Sequence, residues 1–216
     1  MKIFELKNII KGEINKLLKE IYDKNQIGDQ YGEGLEHTVY NYGKDKIIKF
    51  ADSISPNNKG LQPNAKILAN YPNIFPKVYN IGSDYIIMEK LDDNKAYVEL
   101  FKIKQQLSSN NKKYISSDIP PKNQYITKLM QKSKIDGSNY YDYDISTLIY
   151  DNLEDNELKS QLRKELSSDL YNSLIKNWYP LLQKIKNIPW SLKKEKDVHD
   201  ENFGYTLKGE LKMIDI

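Results

Sequence analysis

Apolar residues recur three and four positions apart from Phe4 through Leu6, Ile9, Ile10, Ile14, Leu17, Leu18 and Ile21 to Tyr22, with charged side chains between them. This spacing predicts an amphipathic helix over residues 2–24 whose apolar stripe packs on the segment that comes next. Glu5, Glu13, Glu20 and Asp23 dilute the basic face that a membrane-surface helix prefers. The pattern then shortens. Tyr31 to Phe50, punctuated by Gly32, Gly34 and Gly43-Lys44-Asp45, predicts three short strands joined by tight turns. Two more strands are expected in Phe75–Gly82 and Tyr85–Leu91, and the continuous apolar run Ile86 to Met88 fits a buried strand. From Asp92 to about Ser191 the period is helical, in Tyr97–Leu107, Tyr125–Met130, Ser146–Asn152 and a long run Glu157–Ile188 that Pro180 should kink or split. Polar stretches 108–122 and 133–144 read as loops or insertions, and Ile188-Pro189-Trp190 ends the helical block. Phe203–Thr206 and Leu211–Ile214, with Lys208-Gly209 between them, predict a closing hairpin.

Composition narrows the function classes. The chain has 216 residues, enough for one domain or two small lobes around a sizeable core. Its 33 basic and 30 acidic side chains leave a formal charge of only +3, which argues against a nucleic-acid partner. There is no cysteine, so thiolate metal sites and disulfides are excluded. Two histidines, His37 and His199, are too few for most multi-histidine metal centres. No uncharged run approaches the roughly 20 residues of a membrane span. These features lead to the expectation of a soluble, cytoplasmic protein.

Candidate chemistry gathers at the C-terminal end. Asp197 and Asn202 stand five residues apart before the hairpin, and Asp215 follows its second strand. Folding the hairpin brings Asn202 and Asp215 to the same end of adjacent strands. A carboxylate and an amide oxygen there suit a hard cation such as Mg²⁺ that also carries substrate phosphates. Asp197 could then orient an attacking hydroxyl and take its proton. Near the other end, Gly32 and Gly34 allow a turn to approach phosphate oxygens and aim amide hydrogens at them. Taken alone, that pair is better accounted for by a plain hairpin turn.

In order, glycine turn, strand lysine, apolar strand, helical block, Asp-x-His-x-x-Asn loop, hairpin and terminal Asp resemble the protein-kinase-like superfamily over residues 31–216. His199, two residues after Asp197, makes the loop most similar to atypical, aminoglycoside-phosphotransferase-like or phage-encoded kinases. The resemblance implies an α+β, two-lobed fold with a small antiparallel-sheet N-lobe and a reduced, mainly helical C-lobe, with ATP and Mg²⁺ in the cleft. After the N-terminal helix that periodicity predicts, taken as domain 1–24, it implies an N-lobe over 25–91 and a C-lobe over 92–216 that ends one residue after Asp215. Catalytic roles fall to Asp197, Asn202 and Lys49, and metal ligation to Asn202 and Asp215. Nucleotide contacts fall to Gly32, Gly34, Val39, Lys49, Met88, Glu89 and Leu91, the last two through hinge backbone groups.

His37 occupies the position of the family's third loop glycine, and the helix expected after Lys49 lacks an acid, because no Asp or Glu lies between Asp52 and Asp84. Either Gln62 or Asn64 substitutes, or Lys49 is held by Asp215 and the nucleotide. Two functions are compatible with this set: an ATP- and Mg²⁺-dependent phosphotransferase acting on a hydroxyl of a protein or small molecule, or a pseudokinase that binds nucleotide or protein without turnover. A phage origin would place either in the host cytoplasm.

Overall fold

The computed structural model describes residues 22–33, 37–51, 62–107, 123–132, 144–189 and 198–214. The chain divides into two compact units, Met1–Lys90 and Leu91–Ile216.

The first unit is built on a five-stranded antiparallel sheet of order β1-β2-β3-β5-β4: β1 Ile27–Glu33, β2 His37–Tyr42, β3 Lys46–Ala51, β4 Val78–Ile81 and β5 Tyr85–Glu89. β1 starts four residues before the expected sheet boundary at Tyr31. The expected helix over 2–24 lies outside the described residues except at its end, where the expectation fails: Tyr22 and Asp23 are not helical, and Lys24–Gln26 form a 3-10 turn capped by the Asp23 carboxylate. The β2–β3 turn is closed by Gly43 at φ 63°, a left-handed conformation that glycine adopts without penalty. The helix α1, Gln62–Asn70, follows β3 and contains no acid.

Side chains alternate between the two faces of this sheet, and cross-strand partners share a face. Tyr40, Ile48 and Ile87 are in register, as are Phe50 and Tyr85. They form one aromatic-rich face, on which Tyr22 meets Tyr85 and Phe50 edge-on at ring separations of 4.8 and 5.3 Å. Edge-to-face pairs of this kind add about 0.5–1.5 kcal/mol each beyond the apolar area they bury. The other face carries Val39, Lys49 and Ile86 in register, with Ile47 opposite Met88.

The second unit is mainly helical: α2 Asp93–Leu107, α3 Gln124–Lys132, α4 Ile145–Asp151, α5 Asn156–Glu165, α6 Ser168–Ser173, a π-helical turn Leu174–Trp178, and α7 Tyr179–Lys186. A 3-10 turn Asp200–Asn202 leads into the hairpin β6 Phe203–Tyr205 and β7 Leu211–Met213. Its centre is fully buried and includes Leu100, Ile103, Ile149, Leu162, Trp178 and Phe203.

Of the two outcomes expected at Pro180, a kink or a split, the split does not occur: the long helical run does not divide there. It breaks at Leu166 and Ser167, whose extended backbones separate α5 from α6, and the Ser167 N–H is taken by Gln106 Oε1 at 2.7 Å. From Ser168 to Lys186 the helical path is continuous through Pro180. The reason is the π turn: the Tyr179 N–H bonds five residues back to the Leu174 carbonyl, widening the turn where the proline ring would otherwise strike the carbonyl four residues before it.

Candidate functional site

In the first unit the sequence-derived residues sort by face. Val39 sits between Gly32 on β1 and Lys49 on β3, directly opposite both. Met88 lies on the same face as Val39 and Lys49, because it pairs with Ile47, two residues before Lys49. Gly32, Val39, Lys49 and Met88 therefore share the face opposite the aromatic cluster. A register shift between Gln30 and Gly32 leaves Tyr31 as an extra residue on β1. Such bulges re-aim a side chain, and here the Tyr31 ring lies under the Lys90 ammonium at 4.7 Å. Lys90 Nζ also donates to Asn41 Oδ1 at 2.7 Å, tying the end of β5 to β2 and, through the Tyr31 ring, to β1.

The structure narrows the hinge reading. The Glu89 side chain belongs to the opposite face, where it accepts the Lys77 N–H at 3.2 Å. The Glu89 amide donates to the Lys77 carbonyl and the Lys90 amide to the Asp45 carbonyl, at 2.8 and 3.1 Å. Those two amide hydrogens close the sheet rather than await a purine. Gly34 and the side chains of Gln62 and Asn64, the candidates to stand in for the missing acid, lie outside the described residues, as does the side chain of His37.

In the second unit, Leu91 is buried and Asp92 exchanges backbone hydrogen bonds with Tyr205, at 2.8 and 3.0 Å. A Cβ on Gly204 would stand 2.7 Å from Leu91 Cβ, so only glycine lets β6 approach the start of α2 this closely. The Asp92 carboxylate caps α2 by accepting the Lys95 N–H at 2.9 Å. Tyr205 Oη donates to Glu99 at 2.6 Å; burial first, and then this carboxylate, push its phenol well above the usual range.

Asn202 ends the 3-10 turn, and its carbonyl accepts the Ile214 N–H at 2.8 Å. The hairpin is closed at its far end by Thr206, whose hydroxyl accepts the Glu210 N–H, and by Gly209 at φ 80°. Asn202 is thus paired with the residue immediately before Asp215. Asp197 and Asp215 themselves lie outside the described residues. Among the described residues no cluster of three His, Asp or Glu side chains could hold a metal. The oxygen donors of Asn202 and Asp215 suit Mg²⁺, which binds proteins through one or two such groups and completes its shell with water and phosphate.

Sequence reading missed what lies behind this loop. Asp200, inside the Asp-x-His-x-x-Asn stretch, is buried at 4% exposure. Its carboxylate accepts from the Ser146 amide at 2.9 Å and the Ser146 hydroxyl at 2.8 Å, and pairs with Lys104 Nζ at 3.0 Å. The Thr147 hydroxyl donates to the Val198 carbonyl. Asp144, the residue before α4, makes no capping bond of its own. Burial, followed by repulsion from Asp200, raises the Asp144 pKa above 3.8 despite the attraction of Lys104.

The folded chain consequently holds the Asp144 proton more tightly than the unfolded chain does. The stabilisation from this group is full below the ordinary carboxylate range and falls as pH rises through it towards the raised value. Asp144→Asn is therefore expected to raise the melting midpoint at neutral pH, with the gain vanishing in acid. Thermal melts of both proteins across pH check this, and an unchanged or lower midpoint at neutral pH would contradict it.

No protein-family model matches the chain. No curated protein sequence matches it. Solved structures similar to it include the aminoglycoside phosphotransferase APH(2")-IIa in complex with gentamicin, at 13% identity and TM-score 0.34, covering 94% of this chain and 68% of that one. The streptomycin–ATP ternary complex of APH(2")-IIa has 13% identity and TM-score 0.31, covering 95% and 69%. Choline kinase from Cryptosporidium parvum Iowa II has 12% identity and TM-score 0.32, covering 95% of this chain and 64% of its own. Likeness of this degree says nothing of function, which the chain's own residues must carry. Among the described residues no helix is long and apolar enough to cross a membrane.

Proposed function

We propose that the chain is an ATP- and Mg²⁺-dependent phosphotransferase of protein-kinase-like fold that moves the γ-phosphoryl group to a hydroxyl of a protein or small molecule. The observation that carries this reading is the bond between Asn202 and Ile214, which supports Asn202 and Asp215 acting side by side as oxygen ligands. Gly32, Val39 and Lys49, in register on one sheet face, support a nucleotide-binding role for the first unit. In this mechanism Lys49 holds the nucleotide phosphates and Asp197 orients the acceptor hydroxyl and receives its proton. The acceptor oxygen bonds to Pγ while the bond from Pγ to the bridging oxygen breaks and ADP departs. Mg²⁺, when bound by Asn202 and Asp215, would neutralise phosphate charge. Most of the rate enhancement then comes from positioning and charge compensation.

A second reading, a pseudokinase that binds nucleotide or a protein without turnover, is favoured by one observation: α1 offers no carboxylate to hold Lys49. Both nucleotide-dependent readings share an expected result. Mg·ATP raises the melting temperature of the purified protein, and Asp215→Ala abolishes the rise. A melting curve indifferent to Mg·ATP would sink them together.

A further inference from the structure

We infer that Asp200 is a positioning residue for the loop bearing Asp197 and Asn202, acting through Ser146 and Lys104; the inference rests on the phosphotransferase reading and deepens it. The loop alternates. Val198 and Asp200 point inward and are buried, while His199 and Asn202 are half-buried and Glu201 is exposed. The two inward residues are both gripped, Val198 at its carbonyl by Thr147 and Asp200 at its carboxylate by Ser146 and Lys104. Fixing them fixes the side of the loop from which Asn202 emerges.

Two features separate this arrangement from an ordinary stabilising ion pair. A buried ion pair contributes little net stability compared with apolar residues of the same volume, because desolvation offsets the attraction. Asp200 is also held twice by one residue: its carboxylate takes both the Ser146 amide and the Ser146 hydroxyl. The start of α4 and the loop, 54 residues apart in the chain, are thereby held in one register. Lys104 brings in α2 as a third support and balances the buried charge. A side chain tied to a helix start and to a second helix has little freedom. Preorganised loops lower the cost of placing a ligand or base.

The test uses the full chain and the variants Asp200→Asn, Ser146→Ala, Lys104→Met and Lys104→Arg. Amide hydrogen exchange over residues 198–206 should quicken about tenfold or more in Asp200→Asn, with little change elsewhere. With ATP as donor, kcat should fall by on the order of 30-fold while KM for Mg·ATP stays within about threefold. Ser146→Ala should show a smaller effect of the same kind, and Ser146→Ala with Asp200→Asn should be no worse than Asp200→Asn alone. Lys104→Arg should preserve both readouts where Lys104→Met does not.

Unchanged exchange at 198–206 in both Asp200→Asn and Ser146→Ala overturns the inference. So does a fall in melting temperature with kcat and KM intact. If Asp200→Asn does not fold, Ser146→Ala, which removes one hydroxyl and keeps the amide, decides. A wild-type chain that transfers no phosphate ends the phosphotransferase reading instead; the exchange data then judge the clamp, local loosening upholding it and uniform or absent loosening overturning it.

Discussion

Asp197→Asn is expected to lower phosphoryl transfer about 1,000-fold while leaving the Mg·ATP-induced rise in melting temperature intact. General-base assistance contributes roughly 10²- to 10⁴-fold, and an amide of the same shape cannot accept the acceptor's proton. Nucleotide binding, in the proposed mechanism, is the work of Lys49, Asn202 and Asp215, none of which is altered. The two readouts therefore diverge in Asp197→Asn and collapse together in Asp215→Ala. Single-turnover transfer of labelled γ-phosphate, with melting measured on the same preparations, checks this. Transfer within about threefold of wild type in Asp197→Asn would remove Asp197 from the chemistry. An inactive wild type that still binds Mg·ATP would leave the pseudokinase reading in possession.

The largest effect on stability is expected at Gly82. A Cβ there would lie 2.1 Å from Tyr85 Cε1, 2.5 Å from Cδ1 and 2.6 Å from Cζ. The ring has little room to yield. Tyr85 is 1% exposed, packs edge-on against Tyr22, and receives the Asn80 side-chain amide on its hydroxyl at 3.1 Å. The backbone is held as well, because the Gly82 N–H donates to the Tyr85 carbonyl at 2.9 Å. Overpacking a core site costs about 1–3 kcal/mol and occasionally more; a clash this close belongs at the upper end, which corresponds to a fall of roughly 6–12 °C in melting midpoint for a domain of this size. Gly32→Ala is the control. A Cβ at Gly32 meets nothing within 4 Å, so its stability should stay within about 0.5 kcal/mol of wild type. Urea titrations of the two variants separate a clash from a general intolerance of alanine for glycine.

Much of the first unit was legible before folding. Alternating residues in 38–50 and the turn at Gly43 mark β2 and β3, since period and turn chemistry are local properties. The hairpin 203–213 was legible for the same reason, its turn being carried by Gly209. The absence of a split at Pro180 was not legible, because a proline's effect on a helix depends on whether the turn around it can widen, and here the π turn Leu174–Trp178 supplies the room. The start of β1 and its bulge were likewise invisible. No residue type announces a register shift, and Tyr31 meets Lys90 only through it.

For the candidate site, the ordered set of motifs and the resemblance it carries nominated Lys49, Asn202 and their partners. The hairpin's register was not legible: Lys208-Gly209 marked a turn, but the pairing of Tyr205 with Leu211, and with it of Asn202 with Ile214, came only with the folded hairpin. What tertiary structure alone decided was the support. Asp200, Ser146 and Lys104 are separated by tens of residues and carry ordinary side chains. Their convergence depends on how α2 and α4 pack, and packing of apolar faces leaves no local mark on a polar residue that happens to lie at the seam.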